Sequence, residues 1–298
     1  MSDAKARLKD AVGPQWQARA RALSRLRWFA KYRLMRRTGV RLRDDFGRNL
    51  AYVLWDPELE SHTYDVENLD ELADFLAAEL GGDRDRILGY LREPETDPVF
   101  NEEWKRRMRF RFDVKHRAQL ASRLLWWGIV RTLRPRLVVE CGIFNGVGSL
   151  VLLRALERNR AEGSPGELIG IDSDPTMGWA VPHALTEHWT TVEGFTSDVL
   201  EDTLEGREVG MLIHDTPHTY ENQMLEFSAA LRRRAERLVL IDASGGQTPA
   251  LEQICEREGG RYRYFRERPK DHFYPGNGTG IGIFERNGGS AAPDGGDR

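Results

Sequence analysis

Residues 138–149 read VVECGIFNGVGS, an apolar strand pattern that runs into a glycine-rich turn and then into a helix. The glycines Gly142, Gly146 and Gly148 have the spacing G-x-x-x-G-x-G. A dinucleotide-binding turn would read G-x-G-x-x-G, and a P-loop would continue with Gly-Lys-Ser or Gly-Lys-Thr. Neither phosphate-binding pattern is present in this stretch, so the turn predicts a ligand of another kind.

The acidic side chain of Glu140, on the predicted strand, favours a cationic ligand because a carboxylate would repel a diphosphate. S-adenosylmethionine (SAM) carries a sulfonium and an ammonium group but no phosphate. Widely spaced glycines would let the backbone approach its methionine part, and the helix that starts near Val147 could bind its carboxylate. The alternative, a tight strand-to-helix turn without a ligand, stays open at this point.

Strand and helix patterns alternate over residues 111–285, which is typical of βαβ units in a parallel sheet. Several strands are continuous apolar runs, as expected when helices cover both faces of the sheet. Helices are expected at about 115–133, 147–160, 177–188 and 219–236. The predicted strands are Leu137–Cys141, Leu168–Asp172, Thr190–Glu193, Gly210–His214, Leu238–Asp242, Tyr262–Phe265 and Gly280–Glu285.

The N-terminal region, residues 1–110, is predicted to be mainly helical. Residues 15–37 contain no Gly or Pro and predict a basic helix, and Asn68 is a plausible cap for a second helix. A short helix follows at 83–92, and the prolines after it indicate a loop. The predicted organisation is therefore a helical region at 1–110, an α/β domain at 111–286 and a disordered Gly-rich tail at 287–298.

The composition is that of a soluble globular protein, with 298 residues, 40% apolar and 31% charged. No apolar run reaches the roughly 20 residues of a membrane-spanning helix. The two cysteines, Cys141 and Cys255, form neither a disulfide framework nor a metal-ligand pattern. Together these features predict a cytoplasmic protein.

Charge is segregated along the chain. Residues 1–43 contain 13 Lys or Arg and 2 Asp or Glu, whereas residues 44–103 contain 4 basic and 18 acidic side chains. The basic block could dock on the acidic block, or it could offer a surface to an acidic partner such as RNA. With its aromatic residues, segment 15–37 could also contact a membrane surface or a second copy of the chain.

Two further strand ends carry acids that could bind a nucleoside. Asp172 could accept hydrogen bonds from both ribose hydroxyls, because Asp174 is the better candidate to cap the next helix. Asp198 follows the third strand and could accept from the adenine amine, although a plain loop explains this position equally well.

The stretch HDTPHTYE, residues 214–221, follows a buried strand directly. In open α/β sheets ligands bind outside the carboxyl ends of strands, so Asp215 and His218 should lie at the floor of a pocket. His218 could act as a general base. In the alternative interpretation without a functional role, Asp215 caps the helix that begins near Thr219 and His214 is only a packed side chain. Asp242 ends the next strand and could share a divalent cation with Asp215, or both could simply line the pocket.

Taken together, these stretches resemble the class I SAM-dependent methyltransferases. The pattern E-x-G-x-x-x-G-x-x-S of residues 140–149 and the acid at Asp172 carry this resemblance. More narrowly, HDTPHTYE followed by LVLIDAS resembles bacterial small-molecule O-methyltransferases of the macrolide-sugar and rhamnosyl type. The resemblance covers about residues 111–285.

The resemblance implies a Rossmann-like, seven-stranded and mostly parallel sheet that ends in an antiparallel hairpin. It also implies O-methylation of a small-molecule hydroxyl, with SAM as the methyl donor. The implied cofactor-binding residues are Glu140, Gly142, Phe144, Asn145, Gly146, Ser149, Asp172, Ser173, Ser197, Asp198 and Asp215.

In metal-using relatives, acids that match Asp215 and Asp242 bind Mg²⁺, which activates the acceptor hydroxyl. Those relatives have a second acid where this chain has Ala243, so one oxygen ligand is missing here. A route without metal requires a base, for which His218 is the candidate, with Asp215 as the second catalytic residue.

Two other functions remain open on the sequence alone. The basic N-terminal helix could bind RNA as the methyl acceptor, although the chain has no Asn/Asp-Pro-Pro-Tyr/Phe motif of amino-methyltransferases after the fourth strand. Alternatively, the SAM fold could be a scaffold without activity. For a small-molecule acceptor, recognition is expected from residues 1–110 and from loop 266–279.

Overall fold

The structure, a computed structural model, describes residues 64–108, 121–269 and 277–286. Several predictions fall on other residues and lie outside this range: the basic helix 15–37, the central half of loop 266–279, and the tail 287–298. The described ends of that predicted loop, 266–269 and 278–279, are strand residues instead. The RNA, membrane-surface and self-association alternatives depend on that basic helix. No helix in the described ranges has the length and apolar character needed to span a membrane.

The described residues form one eight-stranded sheet in the order β1-β7-β8-β6-β5-β2-β3-β4. Strands β2 to β6 are parallel neighbours, whereas β8 is antiparallel to β6, and β7 to β8. The strands are β1 (Tyr64–Val66), β2 (Leu137–Cys141), β3 (Glu167–Asp172), β4 (Trp189–Glu193), β5 (Val209–His214), β6 (Arg234–Asp242), β7 (Arg261–Pro269) and β8 (Gly278–Glu285).

The predicted α/β fold with a terminal antiparallel hairpin is confirmed, and all seven predicted strands are present. Strand β1 is an eighth strand that the sequence analysis missed. It has three residues and pairs antiparallel with the far end of β7. A pattern of three residues is too short to show an alternation of apolar and polar side chains.

Eight α-helices and one 3₁₀ helix lie within the described ranges. The 3₁₀ helix covers His183–His188. The α-helices are α1 (Leu69–Leu80), α2 (Arg84–Thr96), α3 (Pro98–Met108), α4 (Ala121–Leu133), α5 (Val147–Ala161), α6 (Thr196–Thr203), α7 (Tyr220–Arg232) and α8 (Ala250–Glu258).

Prolines explain two differences between predicted and observed helices. The helix predicted at 177–188 is a series of turns and the short 3₁₀ helix, because Gly178 has a positive φ of 74° and Pro182 lacks an N–H. The loop predicted around Pro94 and Pro98 is helical instead. Pro94 lies inside α2, and Pro98 opens α3, where a proline loses no intrahelical hydrogen bond. Helix α8 was not predicted.

Alternation along the strands divides the sheet into two faces. On one face, here called the α4 face, Val138, Met211 and Ile213 pack in a core with residues of α4 and α5. On the other, the α7 face, Val139 and Leu212 pack with residues of α6, α7 and α8. Side chains one residue apart on a strand therefore enter different environments, which decides the composition of the site.

The described N-terminal helices complete the cover of the α4 face. Their apolar side chains, among them Leu72, Leu76 and Trp104, belong to the same core as the sheet. Buried Arg131 of α4 ties the layers together, since its guanidinium binds Glu93 of α2 at 2.9 Å and Glu162 beyond α5 at 2.5 Å. Within the described residues, the two sides of the predicted boundary near 110 thus share one core.

Candidate active site

The glycine-rich turn after β2 is closed tightly by its neighbours. Gly142 has a φ of 95°, and a Cβ built on it would lie 2.2 Å from the backbone oxygen of Asp215. The amide of Asp215 donates to the carbonyl of Cys141 at 2.8 Å. Gly146, with a φ of 84°, has a similar close approach to Gly178. The predicted cofactor turn and the loop after β5 are therefore in direct backbone contact.

Glu140 is buried on the α4 face beneath this turn. The hydroxyl of Ser149, also buried, donates a hydrogen bond to its carboxylate, and Gly148 leaves room for its other oxygen. Burial raises the pKa of Glu140 to about 8, and the charges of Asp215 and Asp172 act in the same direction. Ser149 thus holds Glu140, whereas the sequence analysis assigned both residues to direct cofactor binding.

Arg123 of α4 is a residue of this site that the sequence analysis missed. Its guanidinium lies 3.6 Å from the carboxylate of Asp215 and over the ring of Trp126. Its positive charge also opposes the rise in the pKa of Glu140. No local pattern marks Arg123, because it precedes an apolar helical segment like many surface arginines.

Asp172, predicted to remain free for ribose, is engaged by backbone amides. One carboxylate oxygen accepts from the N–H groups of Ile143 and Phe144 at 2.9 and 2.7 Å. The other accepts from the N–H of Asp174 at 2.9 Å. A carboxylate has about four acceptor positions, so three bonds leave room for one more. Bidentate binding of ribose would need one backbone bond to open.

The remaining predicted cofactor residues have different surroundings. Asn145 is buried, and its side-chain oxygen accepts from the N–H of Val147, the first residue of α5. Phe144 is 55% exposed, and Ser173 is exposed as well. Ser197 and Asp198 bind each other in the first turn of α6 rather than in the predicted loop.

On the α7 face, His214, at the end of β5, begins a chain of polar contacts. The buried imidazole Nδ1 lies 2.7 Å from the carboxylate of Glu226 on α7, which is also fully buried. The other nitrogen, Nε2, lies 3.3 Å from Nδ1 of His218. The two predicted histidines therefore meet, and a buried glutamate that the sequence analysis missed stands behind them.

Glu226 is surrounded by donors. Its Oε1 accepts from the hydroxyls of Thr196 at 2.6 Å and Thr216 at 2.8 Å, and from the amide of Asn222 at 3.0 Å. Burial and the charge of Glu226 raise the pKa of the Cys141 thiol well above its usual range. The sequence signal for this cluster is a polar stripe on α7, where Asn222 and Glu226 are four residues apart.

Asp242 is buried on the α7 face and is already bound by protein donors. Its Oδ1 accepts from the N–H of Ser244 at 2.8 Å and from the amide of Gln223 at 3.1 Å. Asp215, by contrast, pairs with Arg123 of α4. In the described part of the chain, no group of three His, Cys, Asp or Glu side chains could hold a metal ion. The residues present therefore do not fit the predicted Mg²⁺ site at Asp215 and Asp242.

Comparison with known families identifies the central part of this sheet. Residues 139–242 match the family model described as a methyltransferase domain. The matched segment is similar to methyltransferase domains. It begins inside β2 and ends at Asp242, so both buried carboxylates, Glu140 and Glu226, lie within the matched segment.

Solved structures with a similar arrangement are remote in sequence. The O-methyltransferase TomG from Streptomyces achromogenes, in complex with SAM, has 16% identity over 74% of this chain and 97% of its own, with a TM-score of 0.48. A methyltransferase from Geobacter sulfurreducens has 20% identity over 68% and 96%, with a TM-score of 0.45. The SAH-bound methyltransferase PaMTH1 from Podospora anserina has 13% identity over 68% and 95%, with a TM-score of 0.47. No curated protein matches the chain.

Proposed function

We propose that this protein transfers a methyl group from SAM to a hydroxyl oxygen of a small molecule. The observation that carries the proposal is the backbone contact between Gly142 and Asp215. This contact joins the turn that lies above buried Glu140 to the loop that carries His218. The buried acid suits a cationic cofactor, and His218 is the proposed base. The match to a methyltransferase domain supports the same reaction class.

The residues around the turn would hold the cofactor. Glu140 would face its cationic end, because a buried carboxylate gains most from a nearby positive charge. Asp172 would bind ribose after one of its backbone hydrogen bonds opens, and the exposed rings of Phe144 and Phe195 would pack on the ligand. When bound, SAM supplies a methyl group activated by its positively charged sulfur.

His218 would act on the acceptor. A hydroxyl becomes a strong nucleophile when a base removes its proton, and a histidine can do this near neutral pH. The ring is half-buried and held against His214, which limits its orientations. Positioning of the hydroxyl against the methyl group would provide much of the rate enhancement.

Asp215 has a supporting role in this scheme. Its backbone meets the cofactor turn, and its side chain pairs with Arg123. The pair would fix the loop and balance charge next to Glu140. We also propose that residues 111–286 form the catalytic unit and that residues 1–110 contribute to acceptor recognition.

A panel assay tests the proposal. Purified protein is incubated with SAM labelled in its methyl group and with sugar, phenol and polyketide hydroxyl compounds, and labelled products are identified by mass spectrometry. The expected result is labelled methyl ether together with demethylated SAM. Absence of SAM binding in calorimetry would refute the proposal, and so would methylation confined to nitrogen.

A pair of histidine variants tests the base. His218→Ala should lower kcat by about a hundredfold or more, because general base catalysis contributes about 10²–10⁴. His183→Ala is the control, since His183 is exposed in the 3₁₀ helix. Equal activity of the two variants would remove His218 from the mechanism.

A further inference from the structure

We propose that Glu226 and His214 set the tautomer of His218, so that its Nε2 is the unprotonated nitrogen. This inference rests on the proposed function, in which His218 is the base. Glu226 and His214 would be positioning residues: they act through His218 and need not touch the acceptor.

The contacts form a line from the interior to the half-buried His218. Glu226 Oε2 lies 2.7 Å from His214 Nδ1, and His214 Nε2 lies 3.3 Å from His218 Nδ1. Both Glu226 and His214 are fully buried, and the rings of His214 and His218 meet edge to face at 5.3 Å between centroids. Phe227 also packs against His214, with ring centroids 5.8 Å apart. The line is therefore held by packing as well as by hydrogen bonds.

The first link is decided by the donors around Glu226. Oε1 receives hydrogen bonds from Thr196, Thr216 and Asn222, and an amide N–H₂ can only donate. Oε1 is therefore an acceptor, and in the ionised carboxylate Oε2 is an acceptor as well. His214 consequently carries its proton on Nδ1, facing Oε2.

The second link follows from the first. In neutral His214, a proton on Nδ1 leaves Nε2 with a lone pair. The hydrogen bond to His218 then requires the proton on Nδ1 of His218, so the lone pair of His218 is on Nε2. The interior of the protein thus selects which nitrogen of the outer histidine acts as the base.

The proton and electron balance is simple. The acceptor's O–H bond would break, its proton would move to Nε2 of His218, and the bonding pair would remain on the oxygen. That oxygen would form a bond to the methyl carbon while the carbon–sulfur bond breaks, and the pair from that bond would go to the sulfur. The His218 imidazolium then donates Nδ1–H to His214, whose own Nδ1–H remains on Glu226. The carboxylate stabilises the positive charge through one intervening ring, and Nε2 afterwards releases the proton to water.

The Glu226→Gln variant tests the inference, because it should reverse the tautomers of both histidines. The three donors at Oε1 favour the amide oxygen at that position, which places the N–H₂ opposite His214 Nδ1. Two donors cannot share a hydrogen bond, so His214 should move its proton to Nε2. That proton would be donated to Nδ1 of His218, and the lone pair of His218 would move from Nε2 to Nδ1.

Nitrogen NMR of the full chain, labelled with ¹⁵N-histidine, reads these tautomers without any acceptor. At about pH 8, where an unperturbed histidine is neutral, wild-type His214 and His218 should both show a protonated Nδ1 and the downfield signal of an unprotonated Nε2. Glu226→Gln should reverse both patterns, and Glu221→Gln, on the exposed first turn of α7, should change neither.

The wild-type spectrum alone can overturn the inference, even if the variant does not fold. A proton on Nε2 of neutral His218 in the wild-type protein would do so, as would a folded Glu226→Gln protein with unchanged tautomers. These outcomes are independent of the proposed function, which would instead fail through lack of SAM binding or of methyl transfer.

Discussion

Two buried glutamates occupy opposite faces of the same sheet, and their surroundings differ. Glu226, on the α7 face, receives hydrogen bonds from two hydroxyls and an amide and lies against His214. For Glu140, on the α4 face, Ser149 is the one described side chain that donates a hydrogen bond. One carboxylate is satisfied within the protein, whereas the other is buried with few partners.

The difference indicates separate tasks. A carboxylate that is fully hydrogen-bonded fixes the structure around it, as in a positioning network. A buried carboxylate with few donors has a high pKa and gains most from an added cation. In the proposed reaction, Glu226 would therefore act on the acceptor side, and Glu140 would face the cationic cofactor.

The largest expected effect on stability comes from removing the carboxylate of Glu226, which accepts several hydrogen bonds within the protein. Glu226→Leu leaves its donors and His214 without an acceptor, so we expect a loss of about 3–5 kcal/mol in the free energy of unfolding. Urea denaturation followed by circular dichroism measures it. Glu221→Leu on the same helix should cost less than about 1 kcal/mol, and a similar loss in both variants would contradict the assigned network.

Breaking the contact between the two loops should have the next largest effect. Gly142→Ala places a Cβ against the Asp215 carbonyl at a positive φ, and we expect a loss of about 2–4 kcal/mol. Gly163→Ala is a matched control, because Gly163 also has a positive φ of 83° but nothing lies within 4 Å of the added Cβ. The control should lose only about 1 kcal/mol. Equal losses would show that strain alone, and not the loop contact, matters.

Glu140→Gln tests the cofactor role of the poorly satisfied acid. The amide keeps the shape but cannot carry charge, so SAM affinity should fall about tenfold to a hundredfold, or roughly 1.5–3 kcal/mol. Isothermal titration calorimetry measures the change. Glu205→Gln, at an exposed position after α6, should bind like the wild type. Unchanged affinity in Glu140→Gln would separate Glu140 from the cofactor.

The raised pKa of Glu140 also predicts a pH dependence of stability. The pKa of Glu140 is about 8 in the folded protein, compared with an ordinary value of 4.5. A raised pKa favours folding while the group is protonated, so this contribution is complete below about pH 4.5 and is lost as the pH rises through 8. The stability of the wild type relative to Glu140→Gln should therefore fall between about pH 5 and pH 9 when SAM is absent. A flat difference across this range would contradict the raised pKa.

Local patterns predicted the elements well because the signals lie within a few residues. The strand Leu137–Cys141 was predicted to the residue, since a continuous apolar run ends at a glycine turn. Helix α5 was predicted within one residue at its C-terminus. The predictions at 177–188 and at Pro94 were wrong because proline does not always have the same effect on a helix. Pro182 precedes only a short 3₁₀ helix, whereas Pro94 lies inside an α-helix.

The site was only partly predictable for a different reason. The contact between Arg123 and Asp215 joins residues 92 positions apart, because their elements meet only in the folded sheet. Glu226 was missed because a single acid on an amphipathic helix usually faces solvent. Asp172 was placed correctly at a strand end, but its backbone hydrogen bonds depend on the path of the turn after β2.

The sequence by itself determined a sheet with a glycine turn, an acid at Glu140 and two nearby histidines, because each lies within one short pattern. The tertiary structure alone decided which side chains meet. Alternation along parallel strands directs Glu140 to the α4 face, while His214 and Asp242 contact α7 on the other face. The predicted metal pair thereby contacts different helices, and a histidine chain backed by a glutamate forms at the carboxyl end of β5.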